Sequence, residues 1–99
     1  MIFQSVIGGS GGGGFTETGN SYGNITASNS MAMSVPDGTS LILIYASPRS
    51  TDNQYMTFCT PGKEVRSGYL QCEWDKSTNK ITITNKGAVI LDFCYACLA

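Results

Sequence analysis

Four cysteines carry most of the reactive chemistry in this chain: Cys59, Cys72, Cys94 and Cys97. Cys94 and Cys97 have the Cys-x-x-Cys spacing of a metal or redox pair. A strong zinc signal needs two such knuckles, and Cys59 and Cys72 do not form the second. In a regular strand, positions 94 and 97 point to opposite faces, so joint ligation needs a turn there. A thioredoxin-like site places its pair at a helix start behind a strand, and no helix pattern follows. Three states stand open for the four thiols: reduced core residues, one or more disulfides, or zinc.

The chain has no histidine. That removes Ser-His and Cys-His nucleophile activation and the common imidazole metal sites. Glu73 and Asp75 lie two apart and share one face of a strand, a spacing that paired-carboxylate chemistry tolerates, but nothing around them signals a cleft. Asp92 sits in the apolar run Val89-Ile90-Leu91-Asp92-Phe93-Cys94, where burial requires a partner and an outward position does not. Residues 9–14 formally match G-x-G-x-x-G. A dinucleotide site needs a helix directly behind those glycines, and Phe15-Thr16-Glu17-Thr18-Gly19-Asn20 is no helix start. The expectation is a protein that is not an enzyme, with no catalytic residue, no metal ligand and no cofactor. Tyr55 and Tyr69, each beside polar neighbours, are candidate ligand contacts, as a stacking platform for a sugar.

These residues are carried by a 99-residue chain, one domain in size. Charged residues make up only 13% and the net charge is −1. Threonine, serine, asparagine and glycine supply the polarity instead, a composition suited to β structure and close subunit contacts. The six basic residues form no run and the pI is near 5.0, which argues against nucleic acid as a partner. No apolar run reaches membrane-spanning length, and the N-terminus lacks the pattern of a secretory signal. The opening methionine suggests a complete gene product made in a cytoplasm.

Residues 1–14 divide into a short apolar segment and a glycine-rich linker, residues 8–14, together an N-terminal arm ahead of a domain over 15–99. Residues 15–23 look like a loop or a loosely paired edge. Period-two alternation begins at Asn24 and changes its apolar side before Met31, which suggests a bulge or bend. Pro36-Asp37-Gly38 and Pro61-Gly62-Lys63 are turns. Residues 41–46 read as a central strand covered on both faces. Residues 54–60 and 80–85 alternate cleanly, 64–74 is a strand interrupted near Ser67-Gly68, and 75–79 is a hairpin loop. The last strand, 88–98, is apolar on both faces and belongs in the core or in a subunit interface. This pattern predicts an all-β domain, an antiparallel β-sandwich (jelly-roll or Ig-like) or a short barrel. Candidate interface residues are Ile2, Phe3, Val6 and Ile7 in the arm, and Leu91, Phe93 and Tyr95 in the last strand.

The stretch Ser34-Val35-Pro36-Asp37-Gly38-Thr39-Ser40, leading into Leu41-Ile42-Leu43-Ile44-Tyr45-Ala46-Ser47, resembles a pattern of bacteriophage tail, fibre and decoration modules. There a Val-Pro-x-Gly turn feeds a long apolar strand that ends in a small residue and a polar loop. The resemblance covers about a third of the chain. It implies a virion or tail structural or decoration protein, assembled in the host cytoplasm as a homo-oligomer, a trimer by preference, with other virion proteins as partners. The alternative is a small carbohydrate- or receptor-binding module for a surface glycan, using loops 47–53 and 75–79 with Tyr55 or Tyr69. Neither reading involves nucleic acid or a membrane.

Overall fold

The computed structural model describes residues 16–99. The expectations for the arm, including Ile2, Phe3, Val6 and Ile7, lie outside the described residues. Eight strands follow in order: β1 (Glu17–Ile25), β2 (Ser30–Ser34), β3 (Leu41–Pro48), β4 (Tyr55–Cys59), β5 (Glu64–Ser67), β6 (Leu70–Asp75), β7 (Lys80–Asn85) and β8 (Leu91–Leu98). They form two antiparallel four-stranded sheets, β1-β8-β3-β4 and β2-β7-β6-β5, packed as a sandwich rather than a closed barrel. We call these the first and the second sheet.

The chain passes between sheets after β1, β2, β4 and β7, and stays within a sheet at the hairpins β3-β4, β5-β6 and β6-β7. Each crossing or hairpin is a short turn whose residues tolerate the backbone it needs. Gly38 and Gly62 take positive φ in the two proline turns, and Ser28 (φ 62°) and Asn79 (φ 53°) do so after β1 and before β7. The bulge or bend expected before Met31 is a bend, the turn at residues 26–29 where the chain crosses from one sheet to the other. The interruption at Ser67-Gly68 is likewise a hairpin turn that makes two strands, β5 and β6. Of residues 15–23, expected as a loop or a loosely paired edge, those from Glu17 on belong to the edge strand β1, which pairs along β8 from Glu17↔Leu98 to Ile25↔Leu91.

The core lies between the sheets. Ile42, Ile44 and Ala46 of β3 and Leu91, Phe93, Tyr95 and Cys97 of β8 face Leu70, Cys72 and Trp74 of β6 and Ile81 and Ile83 of β7. Full burial of an aliphatic or aromatic side chain of this kind contributes ~1.5–3 kcal/mol. Polar groups that enter the core are fully partnered. Asn85, buried at the end of β7, donates from Nδ2 to the carbonyls of Ile25 (2.9 Å) and Val89 (2.8 Å), and its Oδ1 accepts from Gly87 N–H (2.9 Å). At the other end, Asn79 Oδ1 accepts from Trp74 Nε1 (3.0 Å), while Asn79 Nδ2 donates to Val35 O (3.0 Å). These two side chains tie the strands to their turns, because an amide supplies donors and an acceptor at once.

Leu91, Phe93 and Tyr95 are therefore core residues. Of the two places open to the last strand, core or interface, their side chains occupy the first, because the strand's pleat turns odd-numbered positions inward. The even-numbered residues of β8 face outward.

Candidate functional site

The two outer faces of the sandwich differ in kind. On the second sheet, register places Ser30, Ala32 and Ser34 beside Thr84, Thr82 and Lys80, then Gln71, Glu73 and Asp75, then Arg66 and Glu64. That face is polar, as the solvent side of an antiparallel sheet should be.

The outer face of the first sheet is apolar over β8, β3 and β4, with Tyr22 extending it onto β1. One row runs Tyr22, Cys94, Tyr45, Met56 over β1, β8, β3 and β4; the next runs Asn20, Ala96, Leu43, Phe58. Leu98 and Leu41 follow below. Tyr22 (78%), Phe58 (59%) and Met56 (53%) stand exposed on its flanks, while Leu43, Ala96 and Leu98 are buried between them as a second apolar cluster. That cluster packs with Leu41, Tyr45 and Cys94, so among the described residues it draws only on this one face. A shallow depression of about 190 Å³ opens over Tyr45, Ser47, Asp92, Phe93 and Cys94.

The upper border of this face is polar. Asp92, next to Ser47 in register, points outward and binds Arg49 through two hydrogen bonds, Arg49 Nη2 to Oδ1 (2.6 Å) and Nε to Oδ2 (3.2 Å). That hydrogen bonding, reinforced by charge, holds the Asp92 carboxyl below the usual carboxylate range and raises Arg49. The pair caps the apolar surface with a neutralised polar rim, and no buried charge results.

The remaining sequence candidates fall elsewhere. Glu73 and Asp75 share the polar outer face of β6, and Asp75 is a turn cap: its Oδ1 accepts from Ser77 N–H (2.9 Å) and Oγ (2.7 Å), which lowers its pKa. Cys94 and Cys97 point to opposite faces of β8, outward and inward. Burial raises both thiols, Cys97 to about 11, so neither is poised as a thiolate. Among the described residues no three metal-binding side chains converge. Cys59 and Cys72 face each other across the core; Cys72 donating to Cys59 lowers the first thiol and raises the second.

Tyr55 and Tyr69 are brought together, with ring centroids 5.7 Å apart at 75°. This is an edge-to-face corner. Tyr55 packs toward the core over Gly68, where a Cβ would run into its ring, and Tyr69 covers Gly87. The rings lean on backbone and on each other, so they do not form a flat, open platform. Strand directions also part the two loops expected to join them: loop 47–53 lies at the β3-β4 end, and loop 75–79 at the opposite, β6-β7 end.

Reading the sequence missed the face that stands out most: Leu41, Leu43 and Tyr45 on β3, Met56 and Phe58 on β4, and Tyr22 on β1. The signal was present, since residues 41–46 and 91–98 are apolar at every position bar Asp92. Residues 41–46 read as a strand covered on both faces and 88–98 as one for the core or an interface, and neither reading placed the two side by side with a shared outward face. Comparison with protein-family models, with characterised proteins and with solved structures returned no match.

Proposed function

We propose that this domain is an assembly module, and that the outer face of the β1-β8-β3-β4 sheet is the surface by which it binds a second copy of the chain. The contrast between the two outer faces carries this reading. A two-layer sandwich needs one apolar face per sheet, and the first sheet has two. Four strands at ~4.8 Å spacing and ~25 Å length offer about 500 Å² per copy, the scale of a small specific interface once two faces meet. The apolar rows would lie at its centre and the Arg49–Asp92 pair at its rim, the usual division of an interface. Low charge and a polar opposite face suit a subunit that presents one side to its neighbours and the other to water.

A virion or tail component, which the turn-and-strand pattern of residues 34–47 resembles, is one setting for such a module, and it rests on that resemblance. The apolar segment 1–7 would then reach a neighbour through the glycine-rich linker and raise the effective concentration of the contact. The test is native mass by light scattering after size exclusion, on the whole chain and on a chain lacking residues 1–14. A stable dimer, trimer or larger ring, weakened but still folded without the arm, is the expected result. A monomer at millimolar concentration overturns self-association, and an unfolded truncation product overturns the role given to the arm.

A further inference from the structure

Cys59 and Cys72 come from different sheets. Cys59 ends β4, the outer edge of the first sheet, and Cys72 is in the middle of β6 in the second. Both side chains point into the core and both are buried. Packed sheets ordinarily stand about 10 Å apart, yet Cα atoms of β4 and β6 approach within 8 Å. The cause is the tight turn after β4. Gly62 N–H donates to Trp74 O (2.8 Å) and Trp74 N–H to Lys63 O (3.5 Å), which draws residues 60–63 down onto β6. The Cys59 thiol donates to Lys63 O over this turn (3.9 Å), and the Cys72 thiol lies within hydrogen-bonding reach of its sulfur.

We propose that Cys59 and Cys72 are the two halves of an inter-sheet disulfide, formed by exchange with a small-molecule disulfide such as oxidised glutathione. Cys59 attacks one sulfur of that disulfide as the thiolate, forming a mixed disulfide and releasing one glutathione thiolate. The Cys72 thiol then loses its proton and displaces the second glutathione. Two protein thiols are oxidised by two electrons, two protons leave, and one glutathione disulfide becomes two glutathione thiols. Cys59 is the better attacking group of the two. The Cys72 thiol donates to it and favours its thiolate, whereas loss of that hydrogen bond, and burial, disfavour the thiolate of Cys72.

Neither sulfur is exposed, so exchange takes place before the sheets close or through opening of the edge strands β4 and β5. The bond would join β4 to β6 across the core and close a loop that contains the β5 edge and both of its turns. This inference is independent of the assembly reading, since both sulfurs face away from the apolar outer surface.

The test uses the whole chain and its Cys94→Ser/Cys97→Ser variant, in which no other intramolecular pair exists. Each is refolded from denaturant in a glutathione redox buffer and quenched with acid. Peptide mapping is expected to find the Cys59 peptide joined to the Cys72 peptide, with free thiols falling from four to two in the parent chain and from two to none in the variant. The oxidised protein should melt roughly 10 °C above the same protein with reductant, and Cys59→Ser/Cys72→Ser should show no such difference. Trp74 fluorescence should also be quenched on oxidation, because the new disulfide lies two residues along the same inward face. Two remaining thiols in the refolded variant, or a parent chain that pairs Cys59 or Cys72 with another cysteine instead, overturns the proposal.

Discussion

Phe58 is where the assembly reading is most exposed to refutation. It stands on β4, at the edge of the apolar face, in register with Leu43. A phenylalanine carries ~200 Å² of surface; with 59% of it exposed, about 120 Å² remains for association to cover. At ~25 cal/mol/Å² that amounts to ~3 kcal/mol per copy, or roughly 100-fold in the association constant for each copy that loses it. Phe58→Thr keeps a strand-forming residue, so its cost to the isolated fold should stay near ~1 kcal/mol, a few degrees in melting temperature. Sedimentation equilibrium across a concentration series reads the association constant directly. Glu73→Thr, on the polar outer face of the second sheet, is the matched control and should leave association unchanged. Equal association constants for the two variants, with both folded, would refute the claim that the first sheet's outer face is the contact surface.

The other expectations concern the fold that holds this face. Asn85→Ala leaves the carbonyls of Ile25 and Val89 and the N–H of Gly87 without their buried partner, and should cost ~3–5 kcal/mol in urea unfolding followed by Trp74 fluorescence; a loss below ~1 kcal/mol would show that the β7-β8 corner does not depend on it. Gly68→Ala puts a Cβ into the Tyr55 ring at a positive φ (56°) and should cost ~2–4 kcal/mol in thermal unfolding, so an unchanged melting temperature would place that ring elsewhere. Asp92 and Asp75 both have lowered pKa values, the first through its hydrogen bonds to Arg49 and the second through Ser77, so the stability they give is present above the ordinary carboxylate value of ~4 and is lost as pH falls through the lowered one. Both are exposed; melting should therefore be flat from pH 7 to about 4, decline mildly below it, and decline less in high salt. A fall already between pH 7 and 5 would assign acid sensitivity to other groups.

The strands were legible because period-two alternation and proline-glycine turns are local signals. β3, β4 and β7 fall where alternation and apolar runs place them, within one or two residues. Sheet membership was not legible. Residues 26–29 fall within a stretch whose alternation reads as strand, yet they are a turn that crosses between sheets, whereas residues 76–79 close a hairpin. Only long-range pairing, such as β2 with β7, decides which. The same limit affected the candidate site residues. Tyr55 and Tyr69 do lie together, but what they lean on, Gly68 and Gly87, depends on close backbone approach that no spacing rule reports. Asn85 and Asn79 carry the buried polar network, and in sequence each is only one more asparagine at the end of a polar-looking turn.

The apolar surplus of β3 and β8 has a physical meaning beyond stability. Both strands lie inside the first sheet, so their backbone groups are already paired on either side and need no further partner. Their inward residues alone close the core with the second sheet. The outward set, Leu41, Leu43, Tyr45, Cys94, Ala96 and Leu98, adds nothing to that closure, and threonine or serine at these positions would serve a solitary sandwich as well or better. The second sheet supplies the comparison within the same molecule: its inner strands β6 and β7 place Gln71, Glu73, Thr82 and Thr84 at the equivalent outward positions. A chain so poor in charge has little protection against association through an open apolar face. Such a face is retained where a specific contact covers it, and the two exposed residues of edge strand β4, Met56 and Phe58, extend it to the boundary where a neighbour would meet it first.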